Sequence, residues 1–156
     1  MLLGHSWLLV QHLATYYSNY AASGLLAGRG VRLGIVFLFV LLVLYRIADA
    51  ADWRRAQQTG FFASADLAAE GFIHTSERHQ VLETARRYYA GRGGLVLLAI
   101  DEAALAAAGV RVEREWVASR QARFAHVFGP VPLAAVRRHW AFGADASGAF
   151  HLPIDT

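Results

Sequence analysis

Hydrophobic and polar positions after residue 42 form short segments of the kind that build an α+β domain. Apolar runs of strand length occupy Val43–Ile47 and Leu95–Ile100, and the second predicts a central strand because every position in it is apolar. Val110–Trp116 alternates apolar and polar residues, and Phe124–Phe128 is a further short strand. Glu77–Ala90 carries an apolar stripe at helical spacing.

Capping and turn residues predict where the smaller elements begin and end. Asp49 is a good N-cap for a helix that carries Trp53 on its apolar face and ends at Gly60, so Trp53 is expected to be buried. Asp101 caps a second, alanine-rich helix. The remaining segments are a connector over Phe61–Glu70 with a helical turn at Asp66–Ala69, a polar loop over Ala118–Arg123, a turn at Pro132–Val136, and a closing hairpin from Arg138–Phe142 and Gly148–Leu152.

The segment before residue 42 differs from the rest because Leu33–Tyr45 is apolar throughout and has an arginine at each end. A transmembrane helix needs about 20 apolar residues, and this run is shorter. A signal peptide is disfavoured because the run begins far into the chain and Arg46 precedes the only cleavage-like site. We favour residues 1–41 as an N-terminal extension translated from upstream of the true start, with an interfacial or membrane anchor over residues 31–45 as the alternative.

Composition limits the chemistry of the chain. The net charge is +3, and every basic side chain other than histidine is arginine, so the scattered arginine pairs permit nucleic-acid binding without implying it. The absence of cysteine excludes disulfides, thiolate nucleophiles and cysteine-ligated zinc. His74 and His79 do not have the spacing that places two ligands on one helix face, so we predict no metal site.

A compact polar site is predicted at Gly71–Ser76. His74 and Ser76 fall on one face of a short strand because side chains alternate along it, and Ser76 is placed to cap the following helix. The alternative is a buried histidine that bonds to backbone beside a capping serine.

The order of these motifs resembles the bacterial domain of unknown function 952 family. The resemblance covers about Val43 to Leu152 and gives the domain boundary 42–156. It is carried by these segments: Tyr45-Arg46-Ile47, Trp53, Gly71-Phe72-Ile73-His74-Thr75-Ser76, Leu95–Asp101, Glu113 and Phe124-Ala125-His126-Val127-Phe128-Gly129-Pro130.

The layout in turn resembles the compact ADP-ribosyltransferase fold, nearest to the tRNA 2′-phosphotransferases. That likeness implies a split β-sheet with short flanking helices and an NAD-using transferase that acts on a nucleotide-like or phosphorylated acceptor. Arg46 stands at the first of two positions where those enzymes have histidine, and His74 stands at the second. Arginine keeps hydrogen-bond donors but cannot act as the neutral acceptor that a histidine can be.

The site residues expected on this basis fall into two groups. His74, His126 and Glu113 are the predicted catalytic residues, and Tyr45, Arg46, Ser76 and Phe128 are predicted to bind NAD through donors and aromatic faces. A non-catalytic module that binds a small anionic ligand is the second hypothesis, since each residue taken alone also has a structural explanation. We predict a cytoplasmic protein, or a membrane-associated one if the apolar run is an anchor; the oligomeric state stays open.

Overall fold

The computed structural model describes residues 43–154. The strands are β1 (Val43–Asp49), β2 (Phe61–Phe62), β3 (Ile73–His74), β4 (Leu95–Asp101), β5 (Arg111–Val117), β6 (Ala122–Phe128), β7 (Val131–Pro132) and β8 (Val136–Phe142). The α-helices are α1 (Ala50–Thr59), α2 (Ala65–Glu70), α3 (Val81–Tyr88) and α4 (Glu102–Ala107). Single 3₁₀ turns cover Arg78–Gln80, Ala118–Arg120 and Leu133–Ala135. The predicted α+β class is confirmed.

The strands form three small antiparallel sheets rather than one. Two have three strands, in the orders β1-β4-β8 and β3-β6-β5, and the third pairs β2 with β7. Tyr45 on β1 and Ser76 after β3 exchange two backbone hydrogen bonds of 2.8 Å, which join the two larger sheets. This junction lies at the outer edge of β1, next to the site described below.

The core lies on both faces of the β1-β4-β8 sheet. Leu98 and Ile100 of β4 pack on one face with the helix residues Trp53 and Leu105. Ala99, between them in the chain, and Leu97, just before them, pack on the other face against α3. Successive side chains of a strand point to opposite faces, so a strand covered on both sides must be apolar at every position. The central position predicted for Leu95–Ile100 is therefore confirmed, with the strand extended to Asp101.

The predicted boundaries of α1 and the start of α4 are confirmed, but Asp49 at the N-cap position of α1 makes no side-chain capping hydrogen bond. Gly60 ends α1 in the left-handed conformation (φ 85°), which glycine adopts without a Cβ clash, and its N–H donates to the Ala56 carbonyl. Trp53 is buried, with 8% of its surface exposed. The Asp101 carboxylate accepts hydrogen bonds from the Ala103 and Ala104 N–H groups at 2.9 and 3.3 Å, as an N-cap does.

The start of the helix predicted over Glu77–Ala90 is different in the structure. A 3₁₀ turn over Arg78–Gln80 comes first, and α3 spans Val81–Tyr88. Glu77 and Gln80 form a reciprocal capping box, in which the Glu77 N–H donates to Gln80 Oε1 at 2.8 Å. The predicted N-cap role of Ser76 is therefore wrong, because Glu77 occupies the N-cap position.

Three other boundaries also change. Gly71 ends α2 rather than starting a strand, so β3 has only two residues. The expected Phe61–Glu70 connector contains β2, which pairs with β7, and the expected Ala118–Arg123 loop contributes the first residues of β6. Arg138–Phe142 pairs with β4 instead of closing a hairpin, and Gly148–Leu152 contributes only a bridge between Phe150 and Ala144.

The predictions for the N-terminal segment concern mostly residues outside the described range. Positions 43–45 of the apolar run belong to β1, whereas the proposed extension at 1–41 and the remainder of the run precede it. Within residues 43–154, no helix is long and apolar enough to cross a membrane.

Candidate functional site

A cavity of about 630 Å³ lies beside the outer edge of β1. Its wall includes residues from β1, α2, the segment around β3, α3 and β6. The polar lining residues used below are Arg46, Asp66, His74, Ser76, Thr84, Arg120 and His126, and the aromatic ones are Tyr45, Phe72, Tyr88, Tyr89 and Phe124. The volume lies within the range of small-molecule sites, which combine apolar walls with a few placed polar groups.

Pairing of β3 with β6 brings two histidines together in this wall. His74 is the cross-strand partner of His126, and residues that lie opposite each other in an antiparallel pair project to the same face. Their ring centroids are 5.1 Å apart and the rings meet edge to face. Phe72 stacks on the His126 ring with 4.1 Å between the centroids. Phe72 therefore makes the aromatic contact with His126. The residue belongs to the predicted Gly71–Ser76 motif, but no role was predicted for it.

His126 is buried, and only one of its ring nitrogens has a partner among the described residues 43–154. Its Nδ1 lies 2.5 Å from a carboxylate oxygen of Glu115 on the neighbouring strand, whereas Nε2 has no hydrogen-bond partner among residues 43–154. A ring with its proton on Nδ1 donates to Glu115 and leaves a lone pair on Nε2. Buried polar atoms are normally paired, so an unpaired Nε2 in a cavity wall indicates a position for a ligand.

Asp66 organises the opposite part of the wall. Its Oδ2 lies 2.8 Å from Arg46 Nη1 and 3.1 Å from His74 Nδ1, and it also accepts the His74 backbone N–H at 3.1 Å. Ser64 donates its hydroxyl to the other oxygen. Burial alone would raise the pKa of the Asp66 carboxyl, but the hydrogen bonds from His74 and Ser64 and the Arg46 charge outweigh it and hold that pKa well below its usual range.

This arrangement holds Arg46 through Nη1, while its Nε is buried and has no hydrogen-bond partner among residues 43–154. In addition to the Asp66 ion pair, its Nη1 donates to the His74 carbonyl at 3.0 Å. The ion-pair partner of Arg46 is Asp66. The prediction missed Asp66 because its position in a short helix gives no local signal that it faces β1 and β3.

Ser76 and Tyr45 both line the cavity beside Arg46. The Ser76 hydroxyl is 3.3 Å from the Thr84 hydroxyl of α3. Burial raises the pKa of the Tyr45 hydroxyl, and the nearby Arg78 charge offsets part of that rise. The four predicted residues Arg46, His74, Ser76 and His126 are thus brought together in one cavity.

Glu113 and Phe128 lie on the same face of the β5–β6 pair but do not line the cavity. The Glu113 carboxylate is paired with Arg111, and the Arg111 guanidinium also covers the Phe128 ring at 3.9 Å from its centroid. Glu115, two residues further along β5, is the acid that contacts His126. Alternation places both glutamates on the face of His126, so the sequence could identify the face but not which glutamate makes the contact.

Arg120 is a lining residue that the sequence did not predict. Its side chain is only 4% exposed, although it belongs to a segment expected to be a polar loop. The guanidinium lies over the Phe124 ring at 4.6 Å and approaches Tyr88 at 5.8 Å. The 3₁₀ turn at Ala118–Arg120 places it there, and no periodic pattern in a three-residue turn reveals burial.

No group of three or more histidine, aspartate or glutamate side chains is arranged to hold a metal ion in the part of the chain described, residues 43–154.

The fold and the site define a compact α+β domain in which a pair of histidines lies in a polar cavity between two small sheets. The chain belongs to the family described as protein of unknown function (DUF952), which matches residues 47–139. The family resemblance stated from the motifs is therefore confirmed. The likeness to ADP-ribosyltransferases stays a prediction.

Solved structures of a protein from Caulobacter crescentus, CC0527, are similar to this chain. Its crystal structure is 35% identical, with a TM-score of 0.63, and the match covers 70% of this chain and 94% of that one. Its solution NMR structure is 36% identical, with a TM-score of 0.56, and covers 69% and 90% of the two chains. No curated protein matches.

Proposed function

We propose that the cavity binds NAD and that the protein is a transferase of the ADP-ribosyl or 2′-phosphotransferase type. The observation that supports this most directly is the His74–His126 pair, in which a buried His126 Nε2 has no partner within the described residues 43–154. When bound, NAD supplies an ADP-ribosyl group to a nucleotide-like or phosphorylated acceptor.

The residues present fit such a ligand. Hydroxyls and ring nitrogens of Ser76, His74 and His126 offer the hydrogen bonds that ribose hydroxyls need. Tyr45 and Phe72 supply aromatic surface in the same wall. Through Nε2, His126 can accept a proton from an acceptor hydroxyl, and its Nδ1 contact with Glu115 holds the ring in the tautomer that this role requires.

A second function has its own supporting observation. Glu113, the one acidic residue predicted to be catalytic, pairs with Arg111 and does not line the cavity. Asp66, which does line it, is held by Arg46 and His74. A cavity whose wall lacks the predicted catalytic glutamate, and whose Asp66 carboxylate is already held, suits a module that binds a small anionic ligand and performs no chemistry on it.

Ligand titration and nicotinamide release together test these two functions. The melting temperature of the full chain is measured with NAD, ADP-ribose, unrelated nucleotides and glutathione, because a ligand that binds the native state raises it by mass action. The same samples are assayed for nicotinamide release with and without phosphorylated RNA. We expect NAD to raise the melting temperature and nicotinamide to appear when an acceptor is present.

Histidine variants distinguish the site from the rest of the surface. His126→Gln is expected to weaken NAD binding about tenfold, which corresponds to loss of one hydrogen bond to a charged ligand. His79→Gln is the control, because that side chain is 74% exposed and does not line the cavity. Binding without nicotinamide release would favour the non-catalytic module. No change in melting temperature with any of these ligands would contradict both functions.

A further inference from the structure

Arg120 and Arg46 both line the cavity, but their charges are compensated to different degrees. Arg46 has a close ion pair with Asp66 at 2.8 Å, and both side chains are only 12% exposed. Arg120 forms an ion pair with Glu83 at 3.4 Å, and that carboxylate is 45% exposed. Glu83 also pairs with Arg87 at 2.9 Å. Of these two arginines, Arg120 therefore has the less compensated positive charge.

The hydrogen-bonding capacity of Arg120 is also incompletely used. Both terminal nitrogens are 3.4 Å from the Thr84 hydroxyl, which is a long contact for a donor of this type. Its Nε, like Arg46 Nε, is buried and has no hydrogen-bond partner among the residues that the structure describes, 43–154. A buried arginine is normally paired because the desolvation of its charge must be compensated.

Two hydroxyls complete the polar surface at this end of the cavity. Thr84 Oγ1 contacts the Arg120 guanidinium and also lies 3.3 Å from Ser76 Oγ. The Phe124 and Tyr88 rings flank the guanidinium and limit its movement. A planar guanidinium held in place beside hydroxyl donors is the usual chemistry for binding phosphate oxygens.

We propose that Arg120, with Thr84 and Ser76, forms the subsite for a phosphate group of the bound ligand. The assignment of this group to NAD rests on the proposed function, whereas the phosphate chemistry of the subsite does not. The phosphate belongs either to the pyrophosphate of NAD or to the phosphorylated acceptor. In both cases the phosphate-binding arginine is Arg120 rather than Arg46, because the Arg46 charge is already paired with Asp66.

Calorimetric titration of the full chain tests this subsite, with inorganic pyrophosphate, inorganic phosphate and NAD as separate probes. The variants are Arg120→Gln, Arg120→Lys and Thr84→Val, and Arg54→Gln on the exposed face of α1 is the matched control. We expect Arg120→Gln to weaken pyrophosphate and NAD binding at least tenfold. Arg120→Lys keeps the charge but loses the planar fork, so it should be intermediate, and Thr84→Val should weaken binding severalfold. Arg54→Gln should bind as the original chain does.

Competition identifies the source of the phosphate. If pyrophosphate displaces NAD, the subsite holds the pyrophosphate of NAD; if phosphate binds together with NAD, it holds the acceptor. Melting temperatures show whether each variant is folded. If Arg120→Gln is not folded, Arg120→Lys and Thr84→Val still test the subsite.

The outcomes separate this proposal from the proposed function. Pyrophosphate binding that depends on Arg120, without NAD binding, would support the subsite and contradict the function. NAD binding that is unchanged in Arg120→Lys and Thr84→Val would overturn the subsite and leave the function standing. If the original chain binds none of the three probes, both proposals are wrong.

Discussion

β4 and β6 are the central strands of the two three-stranded sheets, yet they have opposite characters. β4 buries six consecutive apolar residues, Leu95–Ile100. β6 also has a buried stretch, but His126 lies within it, and its Nε2 is unpaired by any residue in the described range 43–154. We infer that β4 mainly stabilises the fold, whereas β6 contributes the His126 side chain to the cavity. Substitutions in the two regions should therefore affect different properties.

The largest expected effect is on stability, at β4. Leu98→Ala should lower the free energy of unfolding by about 2–5 kcal/mol, because it removes a fully buried side chain and leaves a void. Denaturant titration measures this change, and the fully exposed Ile154 provides the control substitution Ile154→Ala. A loss below 1 kcal/mol would show that β4 does not have the structural role assigned to it.

An intermediate effect is expected at Asp66, in the polar wall of the cavity. Asp66→Asn should lower the free energy of unfolding by about 1–3 kcal/mol at pH 7, because Arg46 and His74 lose their shared charged acceptor. Denaturant titration at several pH values gives a second result from the same variant.

The sign of the pH dependence follows from the direction of the Asp66 shift. The pKa of this carboxyl is lower in the folded protein than in the unfolded chain, so its contribution is complete above the unfolded pKa of about 3.9 and is lost as the pH falls below it. The original chain should therefore lose stability below about pH 4 more steeply than Asp66→Asn. Parallel curves would contradict the charge-based account of this wall.

The smallest stability effect is expected at His74, whose side chain is 46% exposed. His74→Ala should change the free energy of unfolding by less than about 1 kcal/mol. It should nevertheless weaken NAD binding about tenfold, as loss of a hydrogen bond to a charged ligand does. Stability lost with affinity unchanged would mean that His74 only supports Asp66, and the contrast between the two regions would then not hold for β3.

How far the sequence predicted the molecule also differs between these regions. The apolar run of β4 and the burial of Trp53 follow from local pattern, since burial on both faces leaves no other composition possible. The meeting of His74 with His126 depends on the register of β3 and β6, which only the folded chain specifies. The sequence predicted both histidines as catalytic residues but did not predict that they lie opposite each other on paired strands.

Asp66, Glu115 and Arg120 were missed for a different physical reason. Asp66 lies in a six-residue helix, Glu115 in a mostly exposed strand and Arg120 in a single 3₁₀ turn. Their contacts in the site are with residues that are distant in the chain or diagonal across the sheet. Elements this short have no periodicity from which burial or facing can be inferred. Residues that position the site, such as Asp66 and Glu115, are therefore harder to predict from the sequence than the histidines that they contact.

NAD binding beside the His74–His126 pair is tested most directly by ¹⁵N NMR. The full chain is labelled with ¹⁵N at its histidine rings and titrated with NAD. Ring nitrogens report hydrogen bonding and protonation at each histidine separately. We expect saturable shifts of the His126 and His74 ring signals. The His79 and His151 signals should stay unchanged, because neither residue lines the cavity. Saturating NAD that leaves the His74 and His126 signals unmoved, or shifts all four alike, would contradict binding beside this pair.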